Sequence, residues 1–309
     1  MYTKSAFNDA IAQQASLPGW TQEYRQVSAG YYYGTIAALE YPNLTILRER
    51  INVKTEQVFS APKGRPVFYY YYGSARRGGE LVLDEANATT AGFTWNWIDR
   101  IGFMHPGSDL LMVVLDPSLL CRTRLESGGL RGDVLGQVEQ VAQWLACVLD
   151  VIASEEGLGY AHDQLNAVLP NLVHDRLSTL YENSELAGEG RIAKPEAVYR
   201  RLRDRLHDSP SEPLTVFALS RELGLSPAAL RKVCVEFTGS QLDNILVKLR
   251  LNGARRALIE AQGRECRVCD VAMDWGFMHW SRFAARYRLL FGERPSETLR
   301  RPASRPAPL

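Results

Sequence analysis

Hydrophobic and polar positions change their period along the chain. From about Gln22 to Leu120, short apolar and β-branched runs alternate with turn signals. "ALEYPNLTILRERINVKTEQVF" reads as two or three strands with a turn at "YPN", and "RPVFYYYYG" as a strand ended by Gly73. "GFTWNWIDRIGFMHPGSDLLMVVLDP" reads as further strands, broken at Pro106-Gly107 and closed at Asp116-Pro117. Many short strands with frequent turns predict a sandwich or barrel rather than a parallel sheet. Residues 1–20 read only as a lead-in. Farther on, Val134, Val138, Val141, Leu145, Val148 and Ile152 recur every three or four positions, a helical stripe close to a coiled-coil seam. Two uses of that stripe are open: covering the core of its own domain, or forming a helical interface with a second copy. Another helical stretch runs from about Asp163 to Glu182, and "NSELAGEGRIAKP" has the composition of a linker, which puts a domain boundary near residue 190.

Beyond the linker the helical signals come in close succession. Pro195 is placed to start a helix, with Ala197, Leu202 and Leu206 available for its buried face. "LTVFALSRELGLSPAALRKVCVEF" gives a short helix, a turn at Gly224 and a second helix with Ser226 as N-cap and Pro227 at its first position. That is a helix-turn-helix unit. The pattern then repeats: Leu219-Ser220 through Gly224 corresponds to Val271-Ala272 through Gly276, Leu225 to Phe277, Leu230 to Phe283 and Gly239 to Gly292. Between the copies, "QLDNILVKLRLNGARRALIEAQG" has no proline and helical apolar spacing. About 20 residues of helix span roughly 30 Å, close to the ~34 Å repeat of B-DNA. One connecting helix therefore suits two reading heads on adjacent major grooves.

Charge strengthens this picture. Residues 1–190 carry 14 Lys and Arg against 22 Asp and Glu, a net of −8, whereas residues 191–309 carry 22 against 13, a net of +9. Only the basic part is suited to a polyanion. On the first reading helix Leu230, Val233 and Phe237 form the buried stripe, which leaves Ala228, Arg231 and Lys232 outward. On the second, Phe277, Phe283 and Tyr287 pack inward and leave Trp280, Ser281, Arg282, Ala285 and Arg286 outward. Arg231 suits a bidentate guanine contact and Ala228 a thymine methyl; Arg286, Arg288 and Arg294 suit phosphates. For each arginine a solvated surface charge is the plain alternative, and for Trp280 it is packing against the connecting helix.

At "DVAMDWGFMHWSRFAARYRLLFGERPSETLR" the chain resembles the second helix-turn-helix of the AraC/XylS family of bacterial transcription regulators. The residues that carry the likeness are Val271-Ala272, Gly276-Phe277, Ser281 with Phe283, Phe291-Gly292, Pro295-Ser296 and Arg300, and the match extends over about residues 195–301. The first unit departs at Ser220, Cys234 and Gln241-Leu242. The resemblance implies base contacts at Ala228, Arg231, Lys232, Trp280, Ser281 and Arg282. It also implies double-stranded promoter DNA and RNA polymerase as partners, and an activator as the product. The N-terminal region is similar to the β-barrel sensors of such regulators, the ethanolamine-utilisation subgroup among them.

Alternate tyrosines in the strand place Tyr69 and Tyr71 on one side and Tyr70 and Tyr72 on the other; Trp95 and Trp97 are expected to share a face, as are Arg48 and Arg50. Tyr69, Tyr71, Trp95, Trp97, Arg48 and Arg50 are the candidate effector residues, for a small amine, aromatic or amino-acid-derived ligand. Plain aromatic packing is the alternative.

Catalytic signals are weak. The five cysteines do not suggest a disulfide framework, and Cys266-x-x-Cys269 has no second pair to complete a zinc site. The five histidines form no H-x-H or H-E-x-x-H pair, and neither a phosphate loop nor a G-x-S-x-G turn occurs. No cofactor, metal or enzyme activity is expected. With no apolar run long enough to span a bilayer, the expectation is a cytoplasmic protein without membrane contact. The expected architecture is α+β with two domains. Residues 1–190 form an effector-sensing and dimerisation domain, a β-rich barrel or sandwich (cupin-like) over about 20–125 followed by helices over about 133–185. Residues 191–309 form an all-α domain with two helix-turn-helix units joined by a long helix. The function expected is an effector-controlled, homodimeric transcription regulator. The rivals are a ligand-independent architectural DNA binder and an alkyl-transfer repair enzyme.

Overall fold

The computed structural model describes residues 1–72, 91–95, 97–117, 128–131, 135–154, 159–183, 185–188, 194–212, 215–301 and 307–308. Gly73, Gly78, Gly79, Cys121 and Val134 lie outside the described residues. The architecture is α+β in two parts, a sheet-rich N-terminal part and a helical C-terminal part. The strands are β1 (Tyr2–Phe7), β2 (Thr21–Gln26), β3 (Gly34–Glu40), β4 (Leu44–Ile51), β5 (Thr55–Ser60), β6 (Val67–Tyr72), β7 (Ala91–Thr94), β8 (Arg100–Met104), β9 (Ser108–Leu115), β10 (Gly128–Arg131), β11 (Glu185–Gly188) and β12 (Ala307–Pro308). Helix α1 (Ala10–Gln14) follows β1, and α2 (Leu135–Ala153) and α3 (Gly159–Glu182) follow β10. The lead-in at residues 1–20 is therefore structured: β1 pairs antiparallel with β3, and Asp9 caps α1 by accepting from Ile11 N.

The barrel expectation is overturned. Among the described residues the strands form an open nine-stranded sheet, ordered β11-β10-β7-β6-β9-β4-β3-β1-β12, and a separate three-stranded sheet, β2-β5-β8. Closure requires the two edge strands to pair with each other. Here β11 and β12 stay at opposite edges, and the strands that leave to build the small sheet are not part of any closed ring. The large sheet is covered rather than closed. On one face Leu44, Ile46, Phe68, Phe93, Leu111 and Val113 pack against Val138, Leu145, Leu169 and Leu177 of α2 and α3. On the other, Leu47, Ile51, Val67, Tyr69, Tyr71, Met112 and Val114 pack against Tyr24, Phe59 and Met104 of the small sheet. The period-2 alternation along β4 and β6 sends successive side chains into these two cores. The stripe at Val138, Val141, Leu145 and Ile152 is spent on the protein's own sheet, which decides between its two uses.

The helical part contains α4 (Lys194–Asp208), α5 (Val216–Leu223), α6 (Pro227–Thr238), α7 (Leu242–Glu260), α8 (Val268–Asp274), α9 (Trp280–Phe291) and α10 (Pro295–Arg300). Helix α7 is its spine. Leu242, Ile245, Leu246 and Leu249 join a core with α4, α5 and α6, while Leu251, Ala254 and Leu258 join one with α8 and α9. The small sheet closes the first of these cores from outside: Ile101 and Phe103 of β8 pack against Tyr199 and Phe237. Its three strands thus lie between the aromatic layer of the large sheet and the helical part. Among the described residues no helix is long and apolar enough to cross a membrane.

At Gly253 the Trp275 ring lies directly against α7. A Cβ there would stand 2.0 Å from Cζ3 of Trp275. Alanine gains helix propensity of about 1 kcal/mol, but the half-buried Trp275 ring must shift to admit the methyl, and overpacking of this kind costs about 1–3 kcal/mol. Gly253→Ala is expected to lower stability in denaturant unfolding, and to become neutral or stabilising in a Trp275→Ala background. Equal stability of Gly253→Ala and the parent chain contradicts this packing.

Candidate nucleic-acid interface

The duplication seen in the sequence reappears in the hydrogen bonds. In the first unit Leu225 N donates to Ser220 O at 2.8 Å, and in the second Phe277 N donates to Ala272 O at the same distance. Gly224 N bonds Arg221 O and Gly276 N bonds Met273 O, at 3.3 and 2.9 Å. The closing glycines match too, with Gly239 N to Val235 O at 2.8 Å and Gly292 N to Arg288 O at 2.9 Å. All four glycines are left-handed, with φ from 67° to 78°, a conformation that glycine adopts without steric cost. Helices α6 and α9 are each 12 residues long. Ser226 caps α6 by accepting from Ala229 N at 3.1 Å, with Pro227 in the first turn.

Helix α7 separates the heads by 19 residues, roughly 28 Å of helix. Leu230, Cys234 and Phe237 of α6 and Phe283, Tyr287 and Leu290 of α9 are buried. Ala228, Arg231 and Lys232 are exposed on α6, and Trp280, Ser281, Arg282, Arg286 and Arg288 on α9, with Arg294 exposed just beyond it. Trp280 is 56% exposed, and the Trp275 ring lies against the connecting helix at Gly253. Lys232 has an exposed neighbour of opposite charge, Glu236, at 3.5 Å, an interaction that solvent renders weak.

Residues 219–301 match the family model described as the helix-turn-helix domain. This segment is similar to that domain. Over 137 residues the chain is 32% identical to the probable thc operon regulatory protein of Rhodococcus erythropolis, covering 44% of this chain and 39% of that protein. Over 103 residues it is 30% identical to the XylDLEGF operon transcriptional activator 3 of Pseudomonas putida, covering 33% of this chain and 31% of that protein. The chain thus spans well under half the length of these relatives. Among solved structures, a probable AraC family transcriptional regulator from Rhodopseudomonas palustris is 27% identical, with a TM-score of 0.31, over 33% of this chain and 94% of that one. Over these residues the chain is similar to helix-turn-helix transcription regulators.

Outside the helix-turn-helix domain, the six effector candidates are divided by the large sheet. Tyr69, Tyr71 and Trp97 lie in the core between the two sheets, where Trp97 packs at 4.8 Å from Tyr69 and 5.4 Å from Phe59. Trp95 lies in the opposite core, under α2 and α3, so the two tryptophans do not share a face. The reason is that β7 ends at Thr94, and strand alternation does not extend across the segment. Arg48 and Arg50 do share a face, but both are paired with Asp109, at 2.9 Å each, and Arg48 also lies over the Tyr72 ring. Cys266 and Cys269 are free thiols.

Sequence reasoning missed Glu49, which is 1% exposed between the sheets. The signal was present: Glu49 alternates with Arg48 and Arg50 and so shares the face of Leu47 and Ile51, which is apolar. Burial pushes its carboxyl up to about 7, against the opposing pull of hydrogen bonds donated by Tyr24 Oη at 2.7 Å and Gln13 Nε2 at 2.8 Å. Also missed was a cavity of about 280 Å³ between β2, α4 and α7, bordered by Glu23, Arg203, Asn252, Arg256 and Trp275.

The Glu49 carboxyl makes stability fall with rising pH. Below its ordinary value of 4.5 both folded and unfolded states are protonated; between that value and about 7 only the folded state holds the proton, and the advantage is lost as pH rises through this window. The difference amounts to about 3 kcal/mol. Urea unfolding at pH 5 and pH 8 should show Glu49→Gln gaining on the parent chain by up to that amount at the higher pH. A gap that does not change with pH contradicts the assignment.

Proposed function

We propose that the chain is a sequence-specific transcription regulator that reads double-stranded promoter DNA with two heads and is controlled by a small molecule acting on its N-terminal part. The observation that carries this reading is the pair of equivalent units on α7, each burying one face of its second helix and exposing a row of donors on the other. Residues 1–190 are the sensing and dimerising part in this reading, and residues 191–309 the DNA-reading part. The base-reading set is Ala228, Arg231, Lys232, Trp280, Ser281 and Arg282, and the phosphate set is Arg286, Arg288 and Arg294. The presence of named operon activators among the relatives supports activation, through contact with RNA polymerase. The small molecule is assigned to the aromatic layer of Tyr69, Tyr71 and Trp97, which lies on the inner face of the small sheet while the reading part lies on its outer face. A second copy is assigned to the outer side of α2 and α3, where Val151, Val168 and Leu172 are exposed.

A guanine contact made by one arginine discriminates by about 1–3 kcal/mol, or roughly 5- to 150-fold. Arg231→Ala and Arg282→Ala should therefore lose affinity for a selected site while retaining non-specific binding. Arg288→Ala should lose affinity about equally on every duplex and lower the salt dependence by about one phosphate contact. Quantitative binding titrations on selected and scrambled duplexes at two salt concentrations distinguish these outcomes. Uniform loss from all three variants contradicts the base-reading assignment.

A further inference from the structure

Gln26 is the last residue of β2, and Thr55, its cross-strand partner, opens β5. Lys54 immediately precedes that strand, so Gln26 and Lys54 sit together at one end of a single antiparallel ladder. Val27 N and Ser28 N both donate to Lys54 O, at 2.9 and 3.3 Å, and Lys54 N donates to Ser28 Oγ at 2.7 Å. Three hydrogen bonds to the Lys54 backbone thus tie this ladder end to itself.

It meets the last turn of both second helices. Lys54 Nζ donates to Thr238 O at 3.0 Å, and Thr238 is the last residue of α6. Gln26 Nε2 is shared between its own loop, at Gly30 O (2.6 Å) and Ser28 O (2.9 Å), and Leu290 O at 2.7 Å, where Gly30 N also donates at 3.1 Å; Leu290 is the penultimate residue of α9. Both acceptors belong to the last turn of a helix, where four carbonyls lack partners inside the helix and carry the negative end of its dipole. The equivalent glycines that follow, Gly239 and Gly292, also face the ladder end: a Cβ on Gly239 would lie 3.6 Å from Lys54 Nζ, and one on Gly292 would lie 2.7 Å from Tyr31. Between the two caps, the Asn252 side chain of α7 accepts from Gln26 N and donates to Gln26 O, each at 2.8 Å, in place of a neighbouring strand.

We infer that Gln26 and Lys54 are positioning residues for DNA reading: one ladder end caps both reading helices and fixes how they are turned relative to each other. Helix α7 sets the distance between the heads, but rotation of each head about its own short junction is a separate freedom, and the two caps remove it. Neither residue touches DNA in this arrangement, since both lie at the buried ends of α6 and α9 and the base-reading rows remain open. The inference rests on the two-headed reading proposed above.

The test uses the full chain. Selection from a random duplex pool defines a two-part site, and affinity is then measured on duplexes in which the interval between the parts is one base pair shorter, unchanged or one longer. The parent chain is expected to prefer one interval by about tenfold, because each base pair turns one half-site by about a tenth of the ~10.5-base-pair helical repeat. Gln26→Ala removes the Nε2 donor that ties the 28–30 loop to Leu290 O but keeps the backbone pairing with Asn252, and Lys54→Met keeps the side-chain length but removes its donors. Both should fold, as read by thermal unfolding, and should flatten that preference to within about threefold while Lys54→Arg restores it. Should Lys54→Met not fold, Gln26→Ala alone carries the comparison. An unchanged interval preference in the folded variants overturns the inference, and so does a gain in affinity on every interval, which would make the ladder end a restraint. A parent chain that selects no two-part site overturns the two-headed reading itself, and the inference with it.

Discussion

Burial of α7 on three sides is the constraint on which the rest depends. A helix that serves two helical cores needs apolar residues along both, and Leu242, Ile245, Leu246 and Leu249 supply one while Leu251, Ala254 and Leu258 supply the other. Its third side meets strand edges and loop ends, where backbone donors and acceptors need partners. There the helix presents Asn252 and Arg255. Arg255 is buried and donates from Nε to Asp9 Oδ2 at 2.8 Å and from Nη1 to Glu293 Oε1 at 2.7 Å. A buried guanidinium is tolerable only while such partners hold, and removing one typically costs about 3–5 kcal/mol. The N-terminal cap of α1, the middle of α7 and the start of α10 are therefore held by a single charge.

The layering follows from that docking. Helices α2 and α3, the large sheet, the small sheet and the helical part are stacked in that order, and the two faces of the small sheet serve different cores. Tyr24, Phe59 and Met104 point to the aromatic layer, while Ile101 and Phe103 point to the helical part. A ligand shifts a conformational equilibrium only by its difference in affinity between the two states. Under the proposed effector control, the element such a ligand would bias is the small sheet, which Glu56 ties to the helical part: its carboxylate accepts from Arg25 at 2.9 Å and from Tyr199 of α4 at 2.5 Å.

Much of the helical part was legible before any coordinates. Ser226-Pro227 at a helix start, the paired glycines and the run without proline are local signals with local causes, and each recurs in the structure where expected. The sheets were legible as strands, not as an architecture. Whether edges meet depends on pairing between residues far apart in sequence, and nothing in "YTKSAF" announces β1 or its partner β3. Trp95 and Trp97 show the same limit at shorter range, since alternation holds only while the strand lasts. The seam between the parts was invisible for a related reason: Asp9, Gln26 and Lys54 are unremarkable polar residues until Arg255, Asn252 and the ends of α6 and α9 are brought beside them.

The central claim is that one chain places two equivalent heads in successive major grooves along one side of a duplex. Hydroxyl-radical footprinting of the full chain on a selected site tests it most directly. The account predicts two protected patches on one face, about 10 base pairs apart, that are lost separately when Arg231 or Arg282 is replaced. A single patch confined to one groove, unaffected by one of those replacements, would contradict it.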